Sequence, residues 1–319
     1  MTPRRRFEQS LDMAPWRVPR PRVFAQIISG CYGYALGQNK LDDASLGGEV
    51  DRLAEPYVDP LFLLTMNESQ IFQRSKTKDA PQLDASATYL YVATHEMTSQ
   101  NYYGVKVTSD VYGFSIQDNE RSGILIQINN FGDGTTPGQD GISFGWHTDK
   151  YQKTGCYNLL CPGYVPEANV KIVPGVAIEA VSDPDGAKRT MIFKVFKDNS
   201  GDWLVHIGFD SEPYLVGRFP KSMFTNLANK GNYIRLGGFV ITRNTQFAPM
   251  GSGFLSNNTK AASFNNFELI DQNGQTSKVQ QNQPVSVTDD SKYSVSPIST
   301  EGEFTYDRIA GVQYKTRGN

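Results

Sequence analysis

From Ala85 onward, short apolar runs alternate with clusters of Gly, Asn and Asp. This spacing is typical of antiparallel strands in a sandwich or barrel. The predicted strands are Tyr89–His95, Gly104–Tyr112, Gly123–Asn129, Ile142–His147, Gly175–Val181, Met191–Lys197, Trp203–Phe209, Tyr233–Thr242, Ser263–Ile270 and a final patch at Glu303–Tyr306. We therefore expect an all-β fold, an antiparallel β-sandwich with a short N-terminal segment.

The run after Tyr103 shows the alternation most clearly. Val105 and Val107 share one face, while Lys106 and Thr108 share the other. This pattern predicts a strand with one buried and one solvated face. Asp198-Asn199-Ser200-Gly201 and Asp183-Pro184-Asp185-Gly186 carry the residues that tight turns require, so each predicts a β-hairpin.

Three stretches depart from the strand pattern. Residues 217–227 predict a packing helix, because Pro220 falls in its first turn and apolar side chains share one side. Residues 272–299 are polar and predict a long surface loop or a partly ordered tail. Residues 1–81 carry no sharp domain signature, so the predicted division is an N-terminal arm or shortened pro-segment over 1–81 and a sandwich domain over 82–319.

The charge composition limits the partners. Charged residues make up 20% of the chain and the formal net charge is −2, which argues against a general nucleic-acid binder. No apolar run reaches the roughly 18 residues of a membrane-spanning helix. With 3 His and 3 Cys at unsuitable spacings, we expect neither a metal nor another cofactor.

The N-terminus combines an arginine cluster with a short apolar stretch over residues 23–36. A degenerate signal peptide is one interpretation, although Pro15, Pro19 and the acids Glu8 and Asp12 do not suit one. The other is a disordered arm or a misplaced gene start. Both interpretations stay open.

Cys156 and Cys161 lie close enough in the chain for a turn to close a small disulfide loop, which would indicate an oxidising, extracellular location. Cys31 would then be a free thiol or form an intermolecular disulfide. Asn67 and Asn257 begin formal glycosylation sequons, which also suit secretion.

Five segments in order are similar to the neprosin family of plant glutamic endopeptidases. They are Tyr102–Val107, Tyr151–Val165 with its two cysteines, Val216–Phe224, Leu236–Val240 and Met250–Gly253. The resemblance covers about residues 85–310 and implies a secreted β-sandwich hydrolase with a pro-segment. Two glutamates on one sheet would activate a water against a peptide bond, usually after proline and at acid pH. Paired carboxyls suit this chemistry because one stays protonated while the other ionises.

The sequence departs from that family at the catalytic positions. Phe239 stands where the family has glutamate, and Arg235 stands where a second glutamate is common. Ser143 takes the place of the other catalytic glutamate, two residues before the Gly145-Trp146 pair. A second alignment stays open, in which Trp146 matches a later tryptophan of the family. Since a phenyl ring cannot transfer a proton, the resemblance alone does not predict activity.

Two functions follow from these residues. The first is a post-proline endopeptidase that recruits other acids, and the candidates for them are Glu120, Asp149 and Glu179. The second is a non-catalytic extracellular sandwich that binds a peptide, a protein or a glycan. In both, the expected groove residues are Trp146, Tyr151, Gly237 and Gly238, with aromatic faces for proline or sugar rings. Gly251-Ser252-Gly253 is interpreted as a tight turn and not as a nucleophile motif. The sequence does not define the oligomeric state.

Overall fold

A computed structural model describes residues 25–33, 89–113, 116, 120–132, 140–148, 163–178, 180–242 and 248–308. The first strand, Gln100, Asp140 and the last three residues of the fifth strand are described by their backbone alone. Within these residues the chain forms two antiparallel sheets and one short 3-10 turn, with no α-helix. The predicted all-β antiparallel sandwich is therefore confirmed.

Sheet A contains seven strands in the described part of the chain. Their spatial order is β14, β2, β11, β4, β5, β1, β7. Their bounds are β14 Val285–Val287, β2 Tyr89–Tyr102, β11 Gly231–Thr242, β4 Arg121–Asn130, β5 Asp140–Thr148, β1 Ala25–Gly33 and β7 Ala177–Ile178.

Sheet B packs against sheet A. Its strands lie in the order β15, β16, β12, β3, β8, β9, β10, β6, and β13 also pairs with β12. Their bounds are β15 Tyr293–Val295, β16 Phe304–Arg308, β12 Ala262–Ile270, β3 Gly104–Asp110, β8 Thr190–Lys197, β9 Trp203–Phe209, β10 Tyr214–Phe219, β6 Val165–Pro166 and β13 Thr276–Lys278.

The core lies between the sheets and follows the alternation read from the sequence. On β3, Val105 and Val107 are fully buried, while Lys106 and Thr108 are half-buried. Trp203 closes one end of the core, where its indole nitrogen donates to the Leu227 carbonyl oxygen at 3.0 Å. Burial of large apolar side chains from both sheets is the main stabilising contribution.

Sheet A has a second face, directed away from sheet B, which we call the outer face. On β11, Leu236 and Val240 belong to the main core, whereas Phe239 and Ile241 belong to a separate apolar cluster. Because successive side chains of a strand alternate between faces, odd-numbered residues of β11 occupy the outer face. The same reasoning places Leu125 and Gln127 of β4 there.

Three local predictions differ from the structure. Residues 217–227 form the end of β10 and a 3-10 turn at Lys221–Met223, because apolar positions of β10 continue the strand into sheet B. Residues 272–299 contain β13, β14 and β15, short strands that pair at sheet edges without long apolar runs. Within the stretch 23–36, for which the sequence leaves a signal peptide or a disordered arm open, Ala25–Gly33 forms β1 and pairs with β5, so this part is not a disordered arm.

Both predicted turns are present, but only the Asp198 turn closes a hairpin, because the Asp183 turn joins β7 of sheet A to β8 of sheet B. The Asp198 turn joins β8 to β9, and its carboxylate accepts hydrogen bonds from the amides of Gly201 and Asp202, each at 3.0 Å. Gly201 takes a φ of 98°, a value that side chains disfavour. The Asp183 turn is closed by the Gly186 amide, which donates to the Asp183 carbonyl oxygen at 2.9 Å.

Candidate functional site

Phe239 lies at the centre of the outer face. It is in register with Val92 on β2 and with Gly123 on β4, and Gly123 is in turn in register with His147 on β5. Residues directly opposite on neighbouring strands have Cβ atoms about 5 Å apart, so side chains in one row can interact directly. No residue of this row carries a carboxylate.

The Phe239 ring is part of a small apolar cluster and is fully buried. Val92, Leu125 and Ile241 complete the cluster, and Leu90 packs against it. Gly123 has no side chain, so the position opposite the ring on β4 supplies no functional group. The arrangement excludes proton transfer by these two positions.

A polar row crosses the outer face four residues away along β11. It consists of Glu96 on β2, Arg235 on β11, Gln127 on β4 and Ser143 on β5, each in register with the next. At about 3.3 Å per residue, this row lies about 13 Å from Phe239 along the strand. We refer to these four residues as the polar row.

The acidic end of the polar row is an ion pair. The Arg235 guanidinium donates to the Glu96 carboxylate and, from Nε, to the Tyr233 hydroxyl at 3.0 Å. Burial alone would lower the pKa of Arg235, but the Tyr233 hydroxyl and the Glu96 carboxylate outweigh it, so this pKa is raised above its usual value. Arg235 thus stays cationic beside Glu96.

Tyr233 extends the site toward an exposed aromatic ring. Burial raises the pKa of the Tyr233 hydroxyl above its usual value, so this group stays protonated. Phe131 meets the Tyr233 ring edge-on with centroids 5.0 Å apart, and 43% of Phe131 is exposed. The pair forms an apolar shelf next to the polar row.

The other end of the polar row is an amide held by a hydroxyl. Gln127 Nε2 donates to Ser143 Oγ at 3.1 Å. Only 1% of Gln127 is exposed, yet its Oε1 has no hydrogen-bond partner in the described structure. A buried carbonyl oxygen without a donor is uncommon in folded proteins.

The two positions that the sequence assigned to family glutamates are not brought together. Ser143 is in register with Gln127, which is in register with Arg235 and not with Phe239. Two strand spacings and four residues along the sheet therefore separate Ser143 from Phe239. The residue that the sheet sets opposite Phe239 on β4 is Gly123.

Of the three candidate substitute acids, the structure describes Glu120. It precedes β4 and is buried, and its carboxylate accepts a hydrogen bond from Thr242 Oγ1 at 2.8 Å at the end of β11. This location is away from the polar row. Asp149 and Glu179 lie outside the described residues.

The expected groove glycines have packing roles. A Cβ on Gly237 would lie 2.2 Å from the Ala93 carbonyl oxygen, and one on Gly238 would lie 2.4 Å from the Tyr306 ring. Strand contact and core packing therefore account for both glycines. Trp146 is in register with Ile124, and its side chain lies outside the description, as does all of Tyr151.

Ser252 belongs to a buried turn, as its sequence indicated. Its Oγ donates to Asp307 Oδ2 at 2.7 Å, and Gly251 and Gly253 on either side have φ values of 66° and 84°. The Asp307 carboxylate also accepts from the backbone amides of Ser252, Gly253 and Arg308. The hydroxyl is thus committed to holding β16 against this turn.

Metal chemistry receives no support from the described residues, in which no three His, Cys, Asp or Glu side chains gather as ligands. The described residues also contain no helix long and apolar enough to cross a membrane. Cys156, Cys161 and Asn67 lie outside the description, whereas Asn257 is exposed at a turn before β12.

Sequence reasoning missed Glu96, Gln127 and Gly123 as parts of this face. Glu96 is an acid inside a largely buried strand, and Gln127 is a polar residue inside the apolar run of β4. An alternation count along β4 identifies Gly123 and Gln127 as sharing a face with Leu125. The register between β4 and β11, which places Gly123 and Gln127 beside β11, cannot be predicted from the sequence of one strand.

The described strands form a two-sheet antiparallel sandwich. The family model for Neprosin matches residues 123–309, which is more than half of the chain. The chain therefore belongs to the neprosin family. The resemblance found in its sequence segments is confirmed.

Two solved structures of glutamic-type peptidases are also similar to this chain. One is Scytalido-glutamic peptidase with a peptide-based transition state analog, at 10% identity and a TM-score of 0.37. The other is SCP-B, a member of the Eqolisin family of peptidases, in a complex with the tripeptide Ala-Ile-His, at 9% identity and a TM-score of 0.37. In both comparisons 70% of this chain and 100% of the other are covered.

Proposed function

We propose that this member of a peptidase-like family binds extended peptide segments at the exposed Phe131 end of the outer face of sheet A and does not hydrolyse them. The observation that carries the proposal is the row of Phe239, in which Val92 and Gly123 flank a buried phenyl ring. General acid and base catalysis by paired carboxyls needs two ionisable groups that share one water. This row supplies none.

The polar row does not replace the missing pair. Glu96 is its one carboxylate, and the Arg235 guanidinium binds it directly. Catalysis would require a second acid to protonate the leaving amine, and the described neighbours of Glu96 in the row are a guanidinium, an amide and a hydroxyl. These groups hydrogen-bond one another, and none of them is a second acid.

Binding is favoured by the Phe131 and Tyr233 shelf beside these polar groups. An exposed aromatic ring next to oriented donors and acceptors is the composition of a peptide-binding surface. The rival function is a post-proline endopeptidase with an acid optimum that uses Glu120, Asp149 or Glu179. A glycan ligand on the same shelf is a further alternative, distinguished by competition with soluble oligosaccharides.

Binding is tested with a fluorescein-labelled decapeptide that has one central proline. We expect saturable fluorescence polarisation at about pH 4, the peptide recovered intact, and a roughly tenfold weaker affinity for Phe131→Ala because an aromatic anchor is lost. Tyr214→Ala is the matched control, since Tyr214 is equally exposed on sheet B at 41%. Absence of binding, or equal weakening by both variants, would contradict the proposal.

We further propose that the protein is extracellular, with a Cys156–Cys161 disulfide and glycans on Asn67 and Asn257. The exposed turn at Asn257 supports access by a glycosylating enzyme. Peptide mapping of protein secreted from eukaryotic cells is expected to give a Cys156–Cys161 peptide lighter by two hydrogen atoms and an Asn257 peptide that gains a glycan mass. Two free thiols and an unmodified Asn257 would argue against this location.

A further inference from the structure

The outer face of sheet A is buried around Phe239, although no described strand packs on it. All ten residues of β4 are buried, on both faces of the strand. Val92, Leu125, Phe239 and Ile241, which we call the Phe239 cluster, are at most 4% exposed, and the described apolar residues that pack with them belong to sheet A itself. Neighbours on one sheet face shield each other only at their sides, so a face open to water keeps partly exposed side chains. Another part of the molecule must therefore lie over the cluster.

The topology of sheet A shows which part of the chain has to cross this face. β5, β4 and β11 lie between β1 and β2, and each neighbouring pair in the series is antiparallel, so β1 and β2 run in the same direction. Parallel strands of one sheet are joined by a crossover, a connection that passes over one face of the sheet. Sheet B packs on the inner face. The outer face is therefore the route for the connection between β1 and β2, which consists of residues 34–88.

The two ends of this connection lie at opposite corners of the outer face. Gly33 is in register with Asp140 at one end of the sheet, whereas Tyr89 is in register with Thr242 at the other end. The straight path between these corners is about 35–40 Å, because it crosses four strand spacings of about 4.8 Å and about ten residues of about 3.3 Å each. Residues 34–88 are several times longer than this path when extended, so they can both span the face and cover it.

The connection carries apolar residues that suit the buried face. At residues 61–64, midway between Gly33 and Tyr89, the sequence reads Leu-Phe-Leu-Leu, which is the longest apolar run of the connection. Contact between this run and the Phe239 cluster would remove apolar surface of both from water, which is favourable. We propose that residues 34–88 form a permanent cover over the outer face of sheet A, with residues 61–64 against the Phe239 cluster.

The cover begins at a strand that is built into the sandwich. β1 lies between β5 and β7 in sheet A, and β7 pairs with no other described strand. The start of the cover is therefore fixed by main-chain pairing, so a cut within residues 34–88 should leave the N-terminal part bound. This inference does not rest on the peptide binding proposed above. It limits a ligand to the part of the face that the cover leaves exposed, such as the Phe131 end.

Cross-linking from Leu125 identifies what covers the cluster. The full chain is produced with photo-leucine, a leucine analogue that carries a diazirine, and cross-linked peptides are mapped by mass spectrometry after irradiation. We expect the peptide that contains Leu125 to be joined to peptides from residues 34–88. The internal control is Leu236 on the inner face of β11, which should be joined to sheet B. Cross-links from Leu125 that reach only sheet A, another part of the chain or a second copy would overturn the proposal.

Thiol accessibility tests whether residues 61–64 supply the contact. Val92→Cys places a thiol in the Phe239 cluster, Val107→Cys places one in the fully buried core, and Val285→Cys places one at a position that is 56% exposed. Alkylation of Val92→Cys should be at least about tenfold slower than that of Val285→Cys, and adding Leu63→Ser and Leu64→Ser should raise its rate about tenfold while Val107→Cys stays protected. An unchanged rate would contradict the contact. If the added substitutions also expose Val107→Cys, the variant has unfolded and the cross-links from Leu125 decide.

Discussion

Replacing Phe239 by glutamate is expected to lower the melting temperature by about 8 °C or more at pH 7. The ring is fully buried in the cluster with Val92, Leu125 and Ile241. Removing a buried phenyl group costs about 3–5 kcal/mol, and each kcal/mol corresponds to roughly 2 °C or more in a domain of this size. A carboxylate without a cationic partner in that cluster adds a desolvation penalty.

The same substitution should be less harmful at acid pH. Burial in an apolar cluster raises the pKa of an introduced carboxyl, so at about pH 4 the group is protonated and its desolvation penalty falls. Phe239→Leu is the control, with an expected loss near 1 kcal/mol because an aliphatic side chain refills most of the space. Thermal unfolding followed by circular dichroism checks both variants. A glutamate variant that melts with the wild type would show that the cluster is not buried.

Asp307 is expected to make the protein more stable in acid than at neutral pH. Burial raises the pKa of Asp307 to about 7. Hydrogen bonds from Ser252, Arg308 and Ala262 act in the opposite direction but do not outweigh the effect of burial. The folded state therefore holds its proton more tightly than the unfolded chain, whose carboxyl titrates near its ordinary value. Stability from this group is full below about pH 4 and is lost as the pH rises toward 7, a change of about 4 kcal/mol.

Asp307→Asn is expected to remove that dependence between about pH 4 and pH 7. It should also lower stability at pH 4 by about 1–3 kcal/mol, because the amide NH₂ would face backbone N–H groups that need an acceptor. Urea unfolding at several pH values measures both effects. Asp271→Asn, in an exposed turn where the side chain also accepts backbone N–H groups, is the control. An unchanged slope of stability against pH in Asp307→Asn would contradict this assignment.

The sandwich could be predicted because its strands carry their own signal. The alternation around Val105 and the turn at Asp198 are local properties, and both agree with the structure. β1 was missed because Ala25–Gly33 reads equally well as a short apolar leader, and only its pairing with β5 defines it as a strand. The helix predicted over residues 217–227 failed because helical spacing of a few apolar residues does not exclude a strand followed by a turn.

The site was predictable only in part. Phe239 could be identified from the family segment around Gly237 and Gly238, and its substitution already argued against paired carboxyls. The residue opposite Phe239 could not be predicted in the same way. Phe239 faces Gly123 because of the register between two strands that lie more than a hundred residues apart in the chain. The Glu96 and Arg235 ion pair was invisible for the same reason, since the two residues meet only across the sheet.

An assay for peptide hydrolysis by the wild-type protein decides whether this sandwich is catalytic. A quenched decapeptide with one central proline is incubated at about pH 3 and pH 5, and products are identified by mass spectrometry beside Glu96→Gln, Glu120→Gln, Asp149→Asn and Glu179→Gln. We predict that wild-type protein forms no product above the protein-free control. Product formed by the wild type and abolished in one of these variants would contradict the account and identify the acid that replaces the missing pair.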